Sequence, residues 1–161
     1  MKIRVYPDPI LTKVSEPVDD FDGLDSFCDE LYETMVESGG AGLSAVQVGV
    51  LKRIIVMEVL NENRHTFINP EIREISLPLF KFSEGCLSVP GYYEDRDRFS
   101  SILLRYEKPN KDVVVTWFHG LEAFCIQHEM DHLEGKLFID DLSPLKKERI
   151  SKKIQKNLRR K

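Results

Sequence analysis

Leu24, Phe27, Cys28, Leu31 and Met35 recur at intervals of three and four, the spacing that gathers apolar side chains on one face of an α-helix. The pattern predicts a helix from about Leu24 to Ser38, with Asp22 as its N-cap and Gly39-Gly40 as its stop. Cys28 belongs to the apolar face, which makes packing its expected role. Downstream the period shortens. The segments 53–60, 66–68, 72–82, 102–106 and 113–118 are rich in β-branched and aromatic residues and read as strands. Asn69-Pro70 and Pro109-Asn110 fall between them as turns, which suggests mainly antiparallel sheet. From Leu121 to Leu133 the pattern returns to a helix, apolar at Leu121, Phe124, Cys125 and Ile126 and closed near Gly135. Ser143-Pro144 is an N-cap and first-turn pair that opens a last helix through Lys156 or beyond. The expected fold is α+β: antiparallel sheet around one central helix, with a further helix toward each end.

Composition narrows the setting. The 161 residues suit a single domain spanning 1–161, and no repeat, low-complexity tract or linker divides them. No apolar run approaches the ~20 residues that span a bilayer. The start, Met1-Lys2-Ile3-Arg4-Val5, lacks the apolar core of a secretory signal, so the cytoplasm is the expected location. Three cysteines at irregular spacing make no disulfide framework and suit a reducing compartment. Charge is uneven: between Ser143 and Lys161 nine basic residues face the single acid Glu148, while the whole chain carries a net charge of -4.

His128-Glu129-Met130-Asp131-His132 is an H-E-x-x-H motif on the second long helix. Residues four apart share a helix face, so both imidazoles can reach one ion while Glu129 reaches a water beside it. A hydrolytic metal usually takes three protein ligands and keeps a fourth place open. His65, His119, several carboxylates and Cys86 are candidates for the third. Cys86 alone stands in a turn-rich segment of unusual composition, Glu84-Gly85-Cys86-Leu87-Ser88. Cys125, among the apolar residues of its helix, reads as packing. His65 and His119 flank strand ends and read as solvent-facing or hydrogen-bonded. The H-E-x-x-H motif also serves zinc peptidases, which stand as the rival enzyme class, with a non-catalytic metal- or ribosome-binding paralogue as the rival outside enzymes.

A third segment, Gly40-Ala41-Gly42-Leu43-Ser44-Ala45-Val46-Gln47, has the small residues that let backbone pass close to a partner, with one amide side chain among them. These three segments, in this order, resemble the peptide deformylase family, whose signatures are G-x-G-[LI]-x-A-x-Q, E-G-C-[LI]-S and Q-H-E-x-D-H. The resemblance extends from Tyr6-Pro7 to Leu142–Lys146, nearly the whole chain. It implies hydrolysis of the formyl group from N-formylmethionine at the start of nascent polypeptides. It also implies one ion at Cys86, His128 and His132, which is expected to be Fe²⁺ with Zn²⁺, Ni²⁺ or Co²⁺ able to substitute. Glu129 would be the general acid/base, with Gln47 and the Leu87 N–H as oxyanion donors. Gly42, Leu43 and Gly85 would lie along the substrate, and Ala41, Phe82, Leu121, Phe124 and Cys125 would form the methionine pocket, supported by a Glu84–Arg98 ion pair. The basic C-terminal helix would hold the enzyme on the ribosome without reading nucleic-acid sequence. The chain departs from the family at Ser44, where alanine is common and a tolerated change is expected, in residues 91–99, and in a shorter 107–110 segment. The last two bear on peptide contacts rather than on the metal site.

Overall fold

The computed structural model describes residues 1–60 and 63–158. Three α-helices, α1 (Leu24–Glu37), α2 (Gly120–Leu133) and α3 (Pro144–Leu158), accompany five strands, β1 (Gly42–Ser44), β2 (Ile54–Met57), β3 (His65–Gly85), β4 (Tyr93–Glu107) and β5 (Val113–His119). The strands form one antiparallel sheet in consecutive order, a meander. The α+β expectation holds. No helix among the described residues is long and apolar enough to cross a membrane.

Several boundaries differ from the sequence reading for physical reasons. Asp22 does not cap α1. Its backbone N–H is bonded to the Asp20 side chain, and the helix begins instead after Gly23, which adopts the left-handed conformation at φ +71°. Asn69-Pro70 is not a turn: β3 runs through it as a bulge, with Asn69 at φ +49° and the register against β4 shifting between Ile68 and Glu71. The Asn69 side chain is thereby aimed sideways, accepting from Val18 N–H at 2.7 Å and donating to Val18 C=O at 2.8 Å, which ties the N-terminal segment to the sheet. The expected turn at Pro109-Asn110 is present between β4 and β5. The first half of β4 has no apolar alternation because Arg98 takes an inward, buried position.

Three apolar clusters organise the molecule. The α1 face, Leu24, Cys28, Leu31 and Met35, packs against β1 and β2; the Cys28 thiol is buried and its pKa is raised to about 12, as fits a packing residue. Ala123, Ile126 and Leu133 of α2 pack against Ile55, Met57, Phe67, Ile102, Leu104 and Phe118 on one face of the sheet. Ile150 and Ile154 of α3, each 2% exposed, join Leu11, Leu137, Phe138 and Ile139 in the third. Each such buried isoleucine stabilises the fold by roughly 1.5–3 kcal/mol. Leu145, in the first turn of α3, is exposed. The side chain of Leu158 and residues 159–161 of the basic tail lie outside the described residues.

Candidate metal centre and substrate cleft

α2 starts abruptly. His119 is extended and Gly120 turns at φ +54°, so the helix turns onto one face of the sheet immediately after β5. This places His128 and His132 one turn apart on its inner face, their rings 5.0 Å apart and nearly perpendicular. Cys86 arrives from the end of β3. One donor atom from each of Cys86, His128 and His132 lies within 4.8 Å of the other two, and Cys86 Sγ is 3.2 Å from His132 Nε2. No other group of His, Cys, Asp or Glu among the described residues converges in this way. His65 stands near Glu122 at 3.3 Å and stacks on Phe67, and His119 pairs with Ser101 Oγ at 2.8 Å; neither approaches the cluster.

The surrounding network orients the donors. His128 Nδ1 is 2.8 Å from Glu84 Oε2, which turns Nε2 toward Cys86 and His132. Glu84 is also gripped by Arg98, with Nη2 at 3.0 Å from Oε2, and Arg98 Nη1 reaches Asp131 on α2 at 2.8 Å. The expected Glu84–Arg98 pair is thus formed and buried, and it backs His128 where Glu84 meets the cleft. Burial alone would push Glu84 up. Hydrogen bonds from His128 and Arg98 overcome that cost and bring its carboxyl down to about 2. Burial likewise opposes charge on His128, yet its bonds to Cys86 and Glu84 hold its pKa well above the usual value. His132 is driven the other way by burial, then by His128 and Arg98, and stays neutral. A thiol and two imidazoles that converge in this way fit a single borderline-soft cation, with Cys86, His128 and His132 as its ligands.

Glu129 is 3% exposed, its Oε2 has no hydrogen-bond partner, and burial pushes its carboxyl up to about 7 against the pull of His128 and Ser44. An orphaned, buried carboxylate oxygen next to an ion site awaits a proton or a water. Gln47, 1% exposed, reaches across from the short 3-10 helix Ala45–Val48: Nε2 donates to Ser88 Oγ at 3.0 Å and lies 3.6 Å from Cys86 Sγ.

A cleft of about 630 Å³ opens in front of these groups. Of the residues expected to meet substrate, Ala41, Gly42, Phe82, Gly85, Leu121, Phe124 and Cys125 line it, as do Gln47, Leu87 and Glu129. Phe82 and Phe124 stack obliquely at 5.1 Å as its apolar wall. Leu43 is the exception. Its side chain is fully buried in the α1 cluster, because alternation along β1 sends it to the opposite side from Gly42, so only its backbone is available. Cys125 is not simple packing: its thiol faces Gly42, where a Cβ would come within 2.7 Å of Sγ and 2.8 Å of Glu129 Oε1. Gly42 is therefore required by close approach. Burial, reinforced by Glu129, holds the Cys125 thiol well above its usual pKa, so it stays neutral. The sequence reading missed Val59, Leu60, Tyr92 and Tyr93 on the rim. Only the departure of residues 91–99 from the family pattern hinted at the last two.

Comparison with known proteins agrees with this geometry. The polypeptide deformylase family model matches residues 1–148. A peptide deformylase of Stutzerimonas stutzeri is 44% identical over 97% of this chain and 95% of its own, and one of Phenylobacterium zucineum is 46% identical over the same shares. The crystal structure of a Legionella pneumophila peptide deformylase superposes with a TM-score of 0.91 at 37% identity, covering 98% of this chain and 95% of that one. An Ehrlichia chaffeensis peptide deformylase solved in complex with actinonin also gives 0.91, at 38% identity over 98% and 96%. This chain belongs to the polypeptide deformylase family.

Proposed function

We propose that the cleft hydrolyses the formyl amide of N-formylmethionyl polypeptides, releasing formate and a free amino terminus. Cys86, His128 and His132 would hold the ion. When bound, the ion would act as a Lewis acid that polarises the formyl carbonyl and brings a water near neutrality in pKa. Glu129 takes the proton from the attacking water and passes it to the departing nitrogen; its raised pKa suits both transfers. Gln47 Nε2 and the Leu87 N–H donate to the developing oxyanion. Phe82, Leu121, Phe124, Ala41 and Cys125 enclose the methionine side chain, and the backbone of Gly42, Leu43 and Gly85 flanks the peptide. The single observation that carries this reading is the unpartnered Oε2 of buried Glu129 beside a three-donor cluster.

Ferrous iron is our choice of ion, with Zn²⁺, Ni²⁺ and Co²⁺ as competent substitutes; affinity order alone does not select among them. We further propose a cytoplasmic enzyme whose 161 residues form one unit, supported by the burial of Ile150 and Ile154 among residues from the rest of the chain. The exposed cations of α3 would meet ribosomal RNA phosphates through salt-sensitive attraction without sequence readout. The test is formate release from formyl-Met-Ala-Ser by protein loaded anaerobically with Fe²⁺, compared with Zn²⁺-loaded protein and with an unformylated internal peptide bond. Turnover of the internal bond in place of the formyl group would turn the reading toward a peptidase.

A further inference from the structure

The Ser44 hydroxyl makes a bond that an alanine in its place could not make. The residue is fully buried at the end of β1, where the chain enters the 3-10 helix that carries Gln47. Two donors from this one residue, its backbone N–H and its Oγ–H, converge on Gln47 Oε1, each at 2.9 Å. A backbone N–H can only donate, so the amide oxygen must lie at this end and the NH₂ group at the other. There, Nε2 gives one hydrogen to Ser88 Oγ and directs the second toward Cys86 and the ion site. One donor on Oε1 fixes which end of the amide faces which way. A second donor also restrains rotation of the amide plane, and so the direction of that second hydrogen.

We infer that the Ser44 hydroxyl is a positioning group for Gln47, holding its amide plane so that one Nε2 hydrogen points at the oxyanion. The inference rests on the oxyanion role proposed for Gln47. Ser44 does not line the cleft; it also lies against Glu129, whose carboxyl it helps hold down, and the Q47A background below separates that contact from its action on Gln47. Oxyanion donors act by preorganisation, so loosening one costs rate more than binding.

The experiment is a kinetic double-mutant cycle with S44A, Q47A and S44A/Q47A, all measured at the same metal load on a short formyl-Met peptide. S44A removes one neutral hydrogen bond and leaves the backbone one, so kcat should fall roughly threefold to tenfold while KM changes less than about twofold. In the Q47A background the same substitution should lower kcat by less than about twofold, because the group it positions is gone. An equal fractional loss in both backgrounds would overturn the inference, since Ser44 would then act independently of Gln47. An S44A enzyme with unchanged kcat would overturn it as well. A Q47A enzyme with undiminished kcat would instead reject the oxyanion role of Gln47 itself, and the inference with it.

Discussion

Helices α2 and α3 are almost equal in length and use buried surface in opposite ways. α2 buries Gln127, His128, Glu129 and His132; other elements hold the first two, the Phe99 backbone for Gln127 and Glu84 for His128, while Glu129 Oε2 and His132 Nδ1 are left without a partner at the ion site, and Arg98 ties down the half-buried Asp131. α3 buries two isoleucines and leaves most of its charges in solvent, with Lys152 paired only to Glu148 one turn away. Burying a charge is costly unless it is paired, so the arrangement around α2 is tightly specified and chemically poised. Exposed cations cost little and act mainly as a field. The difference teaches where a substitution changes chemistry and where it changes only affinity or stability.

The sharpest contrast is E129A. It should retain the metal and lower kcat by about 10²–10⁴-fold, with metal content and turnover measured on the same sample. Activity near the parent level would dissolve the distinction drawn for α2. C86S should lose metal on dialysis whereas C125S should keep it; equal loss from both would mean that the thiol facing Gly42 is also a ligand.

E84A removes the acceptor that turns His128 and strands Arg98 in a buried place. Metal affinity should fall about tenfold to 100-fold, and E84Q, which keeps an acceptor, should recover part of it in a competition titration with a chelator. On α3, I154A should lower stability by about 2–5 kcal/mol in denaturant unfolding while activity at 25 °C persists. The smallest effect on catalysis should come from reversing three exposed cations, Lys146, Arg149 and Lys156, to glutamate. Hydrolysis of short formyl peptides should stay within about twofold of the parent, while co-sedimentation with ribosomes drops and its salt dependence flattens. Reversal is a cleaner test than truncation after Ser143, which would uncover Leu11 and Phe138. Unchanged sedimentation would leave α3 a structural helix only.

Much of the site was legible in the chain because its chemistry is local. The two histidines stand four positions apart on one helix, the glutamate between them follows from the same periodicity, and the Glu84–Ser88 and Gly40–Gln47 segments carry small residues that only close approach explains. The apolar periods likewise located all three helices to within a residue or so. Strand continuity was less legible, since a bulge at Asn69 and an inward arginine at position 98 both hide alternation. Which carboxylate backs His128, that Leu43 turns into the core while Gly42 faces the cleft, and that Ser44 grips Gln47 were decided only by tertiary structure. Each joins residues distant in sequence or depends on which side of an element meets the core, and hydrogen bonds and burial of that kind arise when sheet, loop and helix close on one another.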